Sequence, residues 1–145
     1  MDRLSQDMRS RVMRTVGSEN TRPERVVRSI LHQSGFRFRL HRKDLPGSPD
    51  IVLPRHRSII LVHGCFWHSH SCPRGARPQS NHRFWKTKLD DNIRRDASIK
   101  KALRRLGWRL LVIWECETAN HEKLRRKLDA WVRRASCQMA RHRHL

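Results

Sequence analysis

Ten residues, His63-Gly64-Cys65-Phe66-Trp67-His68-Ser69-His70-Ser71-Cys72, limit what this chain can fold into more than any other stretch. They hold three histidines, two cysteines and two adjacent large aromatics. Thiolates and imidazoles at that density can share one metal ion, which fixes the path of a loop that has little core of its own. The loop spans roughly 64–81 and includes Gly64, Pro73, Gly75 and Pro78. Loops of that length in a compact domain are either functional or disordered. The ligand residues argue for function.

The flanking segments say what the loop is attached to. Ser58 to Val62 is almost wholly apolar, which suits a central strand covered on both faces. Before it, Asp50-Ile51-Val52-Leu53 reads as a short strand between a Leu45-Pro46-Gly47-Ser48-Pro49 turn and Pro54. Phe36, Phe38 and Leu40 alternate with Arg37, Arg39 and His41, the period of a half-buried strand. After the loop, His82 to Leu106 has helical periodicity, with Leu89, Ile93, Ile99, Leu103 and Leu106 able to face a core. Trp85, Lys88, Asn92 and Asp96 share another face of that helix. Gly107 ends it, and Trp108 to Trp114 is a further apolar strand. A final helix, 121–134, buries Leu124, Leu128, Trp131 and Val132. Two helices precede the strands. Leu4, Met8, Val12 and Val16 mark a basic amphipathic helix over 4–16, closed by Gly17. The second starts at Thr21, where Thr21 and Glu24 fit a capping box and Pro23 lies in the first turn. Its buried face is Val26, Val27, Ile30 and Leu31, and Gly35 stops it. From Ala135 there is no periodicity, and a disordered tail is expected. The order gives a small mixed sheet flanked by helices, an α/β layered domain.

Composition narrows the partner. With 145 residues and 37% hydrophobic content, the chain can build one domain with a modest core, which a metal would reinforce. Lys and Arg number 33 against 13 acids, a net charge of +20. Such an excess favours a polyanion, nucleic acid first. A basic protein without catalysis fits the charge equally well. No apolar run approaches the ~20 residues of a membrane span. The opening Met1-Asp2-Arg3-Leu4-Ser5-Gln6-Asp7 lacks a signal-peptide core. A soluble, intracellular protein is expected, and there cysteines bind metals more often than they pair.

Cys65, His70 and Cys72 supply three zinc ligands within eight residues, and a tetrahedral site needs a fourth. Cys116 follows a strand whose end can lie beside the loop, because neighbouring strands are about 4.8 Å apart. Cys137, in the tail, is the poorer candidate. By spacing alone His68 could also serve the zinc. Asp50 and His63 close the facing ends of a hairpin. A carboxylate there could hold magnesium, which prefers oxygen ligands, beside a histidine able to accept a proton from water. Each residue has a plainer reading as well. Asp50 could be a turn residue, Glu24 a capping acid, Asp96 a solvated helix acid and Trp85 a core residue.

Together these residues resemble the very short patch repair (Vsr) endonucleases. The likeness runs from about residue 5 to 132. It rests on Met13-Arg14, Asn20-Thr21, Glu24, Leu45 to Asp50, His63 to His68, His70, Cys72, Phe84-Trp85, Asn92, Arg95-Asp96, Leu106 to Arg109 and Trp114 to Cys116. The resemblance implies a restriction-endonuclease-like (PD-(D/E)xK-type) fold. It also implies a nick in one strand of double-stranded DNA, 5′ of the thymine in a T:G mismatch left by 5-methylcytosine deamination. Asp50 matches the magnesium-binding aspartate and His68 the proposed general base. Asp96 matches the acid that orients His68. His63 and Glu24 match further active-site residues. Val62 stands where well-known members have threonine, and there the backbone carbonyl meets magnesium. The usual second acid and lysine of PD-(D/E)xK nucleases are missing. Cys65, His70, Cys72 and Cys116 match the structural zinc ligands, which frees His68. Phe66, Trp67 and Trp85 match rings that wedge between base pairs. Met13 matches a residue entering from the minor groove, and Lys88 and Asn92 match readers of the mismatch. The resemblance divides the chain into a DNA-contacting helix (1–18), a catalytic domain (19–134) and a basic tail (135–145). It implies a cytoplasmic, nucleoid-associated monomer that meets mismatch-repair proteins. A zinc-stapled DNA-binding module without catalysis, or a restriction-type nuclease, remains the alternative.

Overall fold

The computed structural model describes residues 20–142. The helix expected at 4–16, with Met13, lies outside them. The order of elements is α1 (Arg22–Gln33), β1 (Arg39–Leu40), β2 (Ile51–Leu53), β3 (Ser58–His63), α2 (His82–Arg105), β4 (Arg109–Trp114) and α3 (His121–His142). The four strands form one sheet in the order β1-β2-β3-β4. The first two pairings are antiparallel. The last is parallel and places Ser58 opposite Arg109 and His63 opposite Trp114. Parallel neighbours need a crossover, which α2 provides. Chain segments leaving β3 and β4 therefore emerge side by side at one edge of the sheet.

Alternation along the strands gives the sheet two cores. Ile51, Leu53, Ile60, Val62 and Ile113 pack against α1 (Val27, Ile30, Leu31) and α3 (Leu124, Leu128, Val132). Val52, Ile59 and Leu61 pack against Leu103 of α2, with Ile99, Leu110 and Val112 around them. The period of two then puts His63, next after Leu61 on its face, on the α2 side. Gly47 closes against the same helix. A Cβ there would lie 2.6 Å from an Ile99 side-chain carbon, and its φ of +74° already favours glycine.

Three elements differ from expectation. The strand expected from Phe36 is only Arg39–Leu40. Phe36 and Phe38 pack on the α1/α3 core from irregular backbone, and Leu40 is exposed. Ile93 of α2 and Leu106, which caps it, are 43% and 52% exposed rather than in the core. A helix of 24 residues is about 36 Å long, far longer than a six-residue strand, so α2 extends beyond the sheet. Ile93 lies at mid-helix, rotated off the stripe of Trp85, Leu89 and Leu103 that is buried, and Leu106 follows the last turn. The final helix continues to His142 instead of ending at 134. Ala135, Gln138, Met139 and Ala140 are good helix formers with no glycine or proline among them, so propensity extends the helix where periodicity gives no signal.

Candidate active site

The common edge of β3 and β4 gathers the site. Cys65 follows β3 and Cys116 follows β4, and the Cys116 N–H donates to the Cys65 sulfur at 3.4 Å. Cys116 Sγ lies 3.6 Å from His70 Nδ1. One ligand atom from each of Cys65, His70, Cys72 and Cys116 lies within 4.8 Å of all the others. In a zinc tetrahedron with bonds of about 2.0–2.3 Å, ligand atoms stand roughly 3.3–3.8 Å apart, so the donor set and spacing fit zinc. Burial pushes the Cys65 thiol up to about 12. At Cys72 burial also raises the thiol, but hydrogen bonds with His70 and Cys65 outweigh it and bring the group to about 7. The loop closes tightly on itself: a Cβ on Gly75 would sit 1.9 Å from the His70 carbonyl oxygen. The His70 ring stacks on Trp114, with centroids 4.1 Å apart.

Beside this knot stand two histidines. His63 and His68 stack at 3.8 Å with their planes 7° apart. His68 Nδ1 is 2.5 Å from Asp96 Oδ2 on α2. A carboxylate only accepts, so Nδ1 carries the proton and Nε2 of neutral His68 is left as the basic nitrogen. His63 is 6% exposed, and its Nδ1 is buried without a hydrogen-bond partner. Burial, and then the adjacent His68, hold its pKa down at about 3, so its ring is neutral.

Across from the histidines lies an acidic group. One Asp50 oxygen accepts from the Val62 N–H at 2.9 Å. Burial pushes the Asp50 carboxyl up to about 6; the Val62 N–H opposes this and nearby Glu24 adds to it. Glu24 is 4% exposed. Thr21 Oγ1 accepts from the Glu24 N–H as expected of a cap. The Glu24 carboxylate, however, accepts from the Asn20 N–H, at 3.0 Å, and from Arg28, at 2.9 Å. His41 Nε2 lies 3.2 Å from the same oxygen. Ligand atoms of Glu24, His41 and Asp50 lie within 4.8 Å of one another.

A cleft of about 680 Å³ joins these parts. Glu24, Asp50, Val62, His63, His68 and Asp96 line it, and so do Phe66, Trp67, Lys88 and Asn92. Asn92 donates to the Trp67 carbonyl at 3.0 Å, tying helix to loop. Trp85 is 5% exposed and stands behind the rim. It meets Phe66, Trp67 and Phe84 at centroid distances of 5.2, 6.0 and 5.1 Å.

The family model described as DNA mismatch endonuclease Vsr matches residues 1–74. The chain is 50% identical over 127 residues to the type II nicking enzyme V.XorIIP of Xanthomonas oryzae pv. oryzae, covering 88% of this chain and 93% of that one. It is 37% identical over 129 residues to the DNA mismatch endonuclease Vsr of Escherichia coli, covering 86% and 83%. The chain belongs to the Vsr family of DNA mismatch endonucleases. A third relative, the type II nicking enzyme V.NmeAIP of Neisseria meningitidis, is 40% identical over 132 residues, 91% of this chain and 94% of that one.

In this Vsr-family chain, the residues expected to act together lie around one cleft as far as they are described, Met13 being outside the described residues, with two differences. Trp85 supports Phe66 and Trp67 from behind instead of lining the cleft, and it must lose that packing before it could enter a base stack. His41 belongs to the acidic group and was missed. The alternation of residues 36–41 marks it only as a polar strand position, and nothing nearby in the sequence ties it to Glu24.

Proposed function

We propose that this protein nicks one strand of double-stranded DNA 5′ of the thymine in a T:G mismatch and so starts very short patch repair. The single observation that carries this reading is the cleft. It holds an acid site, a His–Asp pair and two large rings within one wall, and a binding module has no use for the first two.

Asp50, with the Val62 backbone carbonyl, would hold magnesium. When bound, magnesium offsets the extra negative charge of a phosphodiester under attack. Their fit rests on the buried pair of carboxylates, Glu24 and Asp50, which repel one another without a cation between them. His68 Nε2 takes the proton of the attacking water, and Asp96 holds its ring and steadies the imidazolium that forms. His63 stays neutral against it, so no second charge opposes that protonation. Cys65, His70, Cys72 and Cys116 would hold zinc, which would keep His68 and the rings on one stiff loop. Phe66 and Trp67 enter the base stack, backed by Trp85. Unstacking costs a few kcal/mol and costs less at a mismatch, which favours T:G over intact pairs. Lys88 and Asn92 face the same cleft and read the opened bases.

The test compares a T:G duplex with its C:G counterpart, each with and without magnesium. Nicking of T:G alone, in magnesium alone, is expected. Equal cutting of both duplexes would favour a restriction-type nuclease, and cutting of neither would favour a binding module.

A further inference from the structure

The acidic side of the cleft is held together by a residue from outside the expected set. His41 precedes the turn that leads to Asp50, and its main-chain N–H donates to the Asp50 carbonyl at 3.2 Å. Its Nε2 lies 3.2 Å from Glu24 Oε2, and both groups are nearly buried, at 12% and 6% side-chain exposure. Nε2 also lies 3.4 Å from Arg28 Nη2; a carboxylate can only accept, so a proton on Nε2 satisfies the shorter contact, to Glu24. Asn20, Arg28 and His41 thus converge on one oxygen of Glu24. His41 also holds a left-handed backbone, φ +45°, which a non-glycine residue adopts at some cost. Backbone strain of this kind persists where the surroundings impose it, often at functional sites.

We propose, resting on the nuclease reading above, that His41 is a positioning residue that clamps Glu24 against Asp50, so that the two carboxylates form one divalent-cation site with Glu24 as its second acid. One side of His41 is bonded to the strand entrance that carries Asp50, and the other to the first turn of α1 that carries Glu24. Cutting that link lets the carboxylates separate, because their mutual repulsion already pushes them apart.

Manganese(II) is a suitable probe, since it takes the same oxygen ligands as magnesium and its free ion gives an EPR signal. The measurement uses the full chain without DNA, and Asp50→Asn identifies binding at the cleft. His41→Asn keeps a residue type that accepts left-handed backbone, but its amide is too short to reach Glu24. It should weaken manganese binding roughly 10-fold or more, the usual effect of losing a partner behind a metal ligand, with the melting temperature little changed. His41→Gln, whose longer amide can donate to Glu24, should recover most of the affinity. Wild-type affinity in His41→Asn overturns the clamp, as does equal weakening by the asparagine and glutamine variants. Unfolding of both variants would make His41 a purely structural residue and also overturn it. A wild type that binds manganese in the cleft yet nicks no T:G duplex with any divalent ion would sink the nuclease reading, while the His41 comparison would still stand.

Discussion

Replacing Asp50 by asparagine should stabilise the magnesium-free protein while ending its nicking activity. In the fold the carboxyl is pushed up to about 6 from 3.8, first by burial and then by Glu24. In the unfolded chain it titrates near ~3.9. At about 1.4 kcal/mol per pKa unit, the ionised side chain costs the folded state on the order of 2–3 kcal/mol above pH 6. The direction follows from proton counts. Between about pH 4 and 6 the folded chain binds more protons at this group than the unfolded chain does. Stability contributed by the neutral carboxyl is therefore lost as pH rises through that window, and the loss is constant above it. Asparagine keeps an oxygen for the Val62 N–H and carries no charge. Thermal unfolding of Asp50→Asn in magnesium-free buffer without chelator should lie higher than wild type by roughly 5 °C or more at pH 8. About half the free-energy gap should remain at pH 5. Added magnesium should narrow the gap by raising the wild type alone. Equal stability at pH 8, or a gap of the same size at both pH values, would refute the charge argument. Nicking of T:G duplex by the variant at wild-type rate would remove Asp50 from the reaction.

Asp96→Asn should lower single-turnover nicking by roughly 10²–10⁴-fold, the usual range for an acid–base contribution, and leave T:G duplex affinity nearly unchanged. A rate within a few-fold of wild type would show that His68 needs no carboxylate to hold its proton on Nδ1. Cys72→Ser should cost the protein its zinc, measured as metal per chain, together with several degrees of melting temperature, because a structural site contributes folding free energy directly. Wild-type protein purified without zinc yet fully folded would rule out the staple.

The parts of the site readable in the sequence were those whose chemistry is local. Cys65, His70 and Cys72 fall within one loop, and Cys116 was placed by the end of an apolar strand. β3 and β4 run parallel and end together, which brings Cys116 beside that loop. Trp85, Lys88, Asn92 and Asp96 lie at helical spacing and share a face, but only the surrounding rings decide which of them reaches the cleft. Trp85 therefore ends up behind the rim. The amphipathic pattern of α2 could not reveal how narrow its buried stripe is or where the helix ends, so Ile93, on the flank of that stripe, and Leu106, just past the last turn, look like core residues and are not. Glu24 is a capping acid by pattern, and its side chain also meets Arg28 and His41. His41 and Glu24 are 17 residues apart and meet only through the fold. The left-handed backbone at His41 is only weakly signalled by its residue type, since histidine is one of several types enriched there.

The overrun of α2 has one more consequence. Lys88 and Asp96 stand eight residues apart on the same helix, which corresponds to about 12 Å along its axis. A major groove is about 8.5 Å deep, so the span is comparable to the distance from base edges to the backbone. On the proposed reading, one rigid rod carries a base-reading group at one point and a proton-orienting group at another. The offset between the base that is sensed and the phosphate that is cut is then a helical length, with no flexible joint between them. Adding one residue between Asn92 and Asp96 would turn the two ends about 100° out of phase. Sensing and cutting would then act on different faces of the duplex, even with every side chain intact.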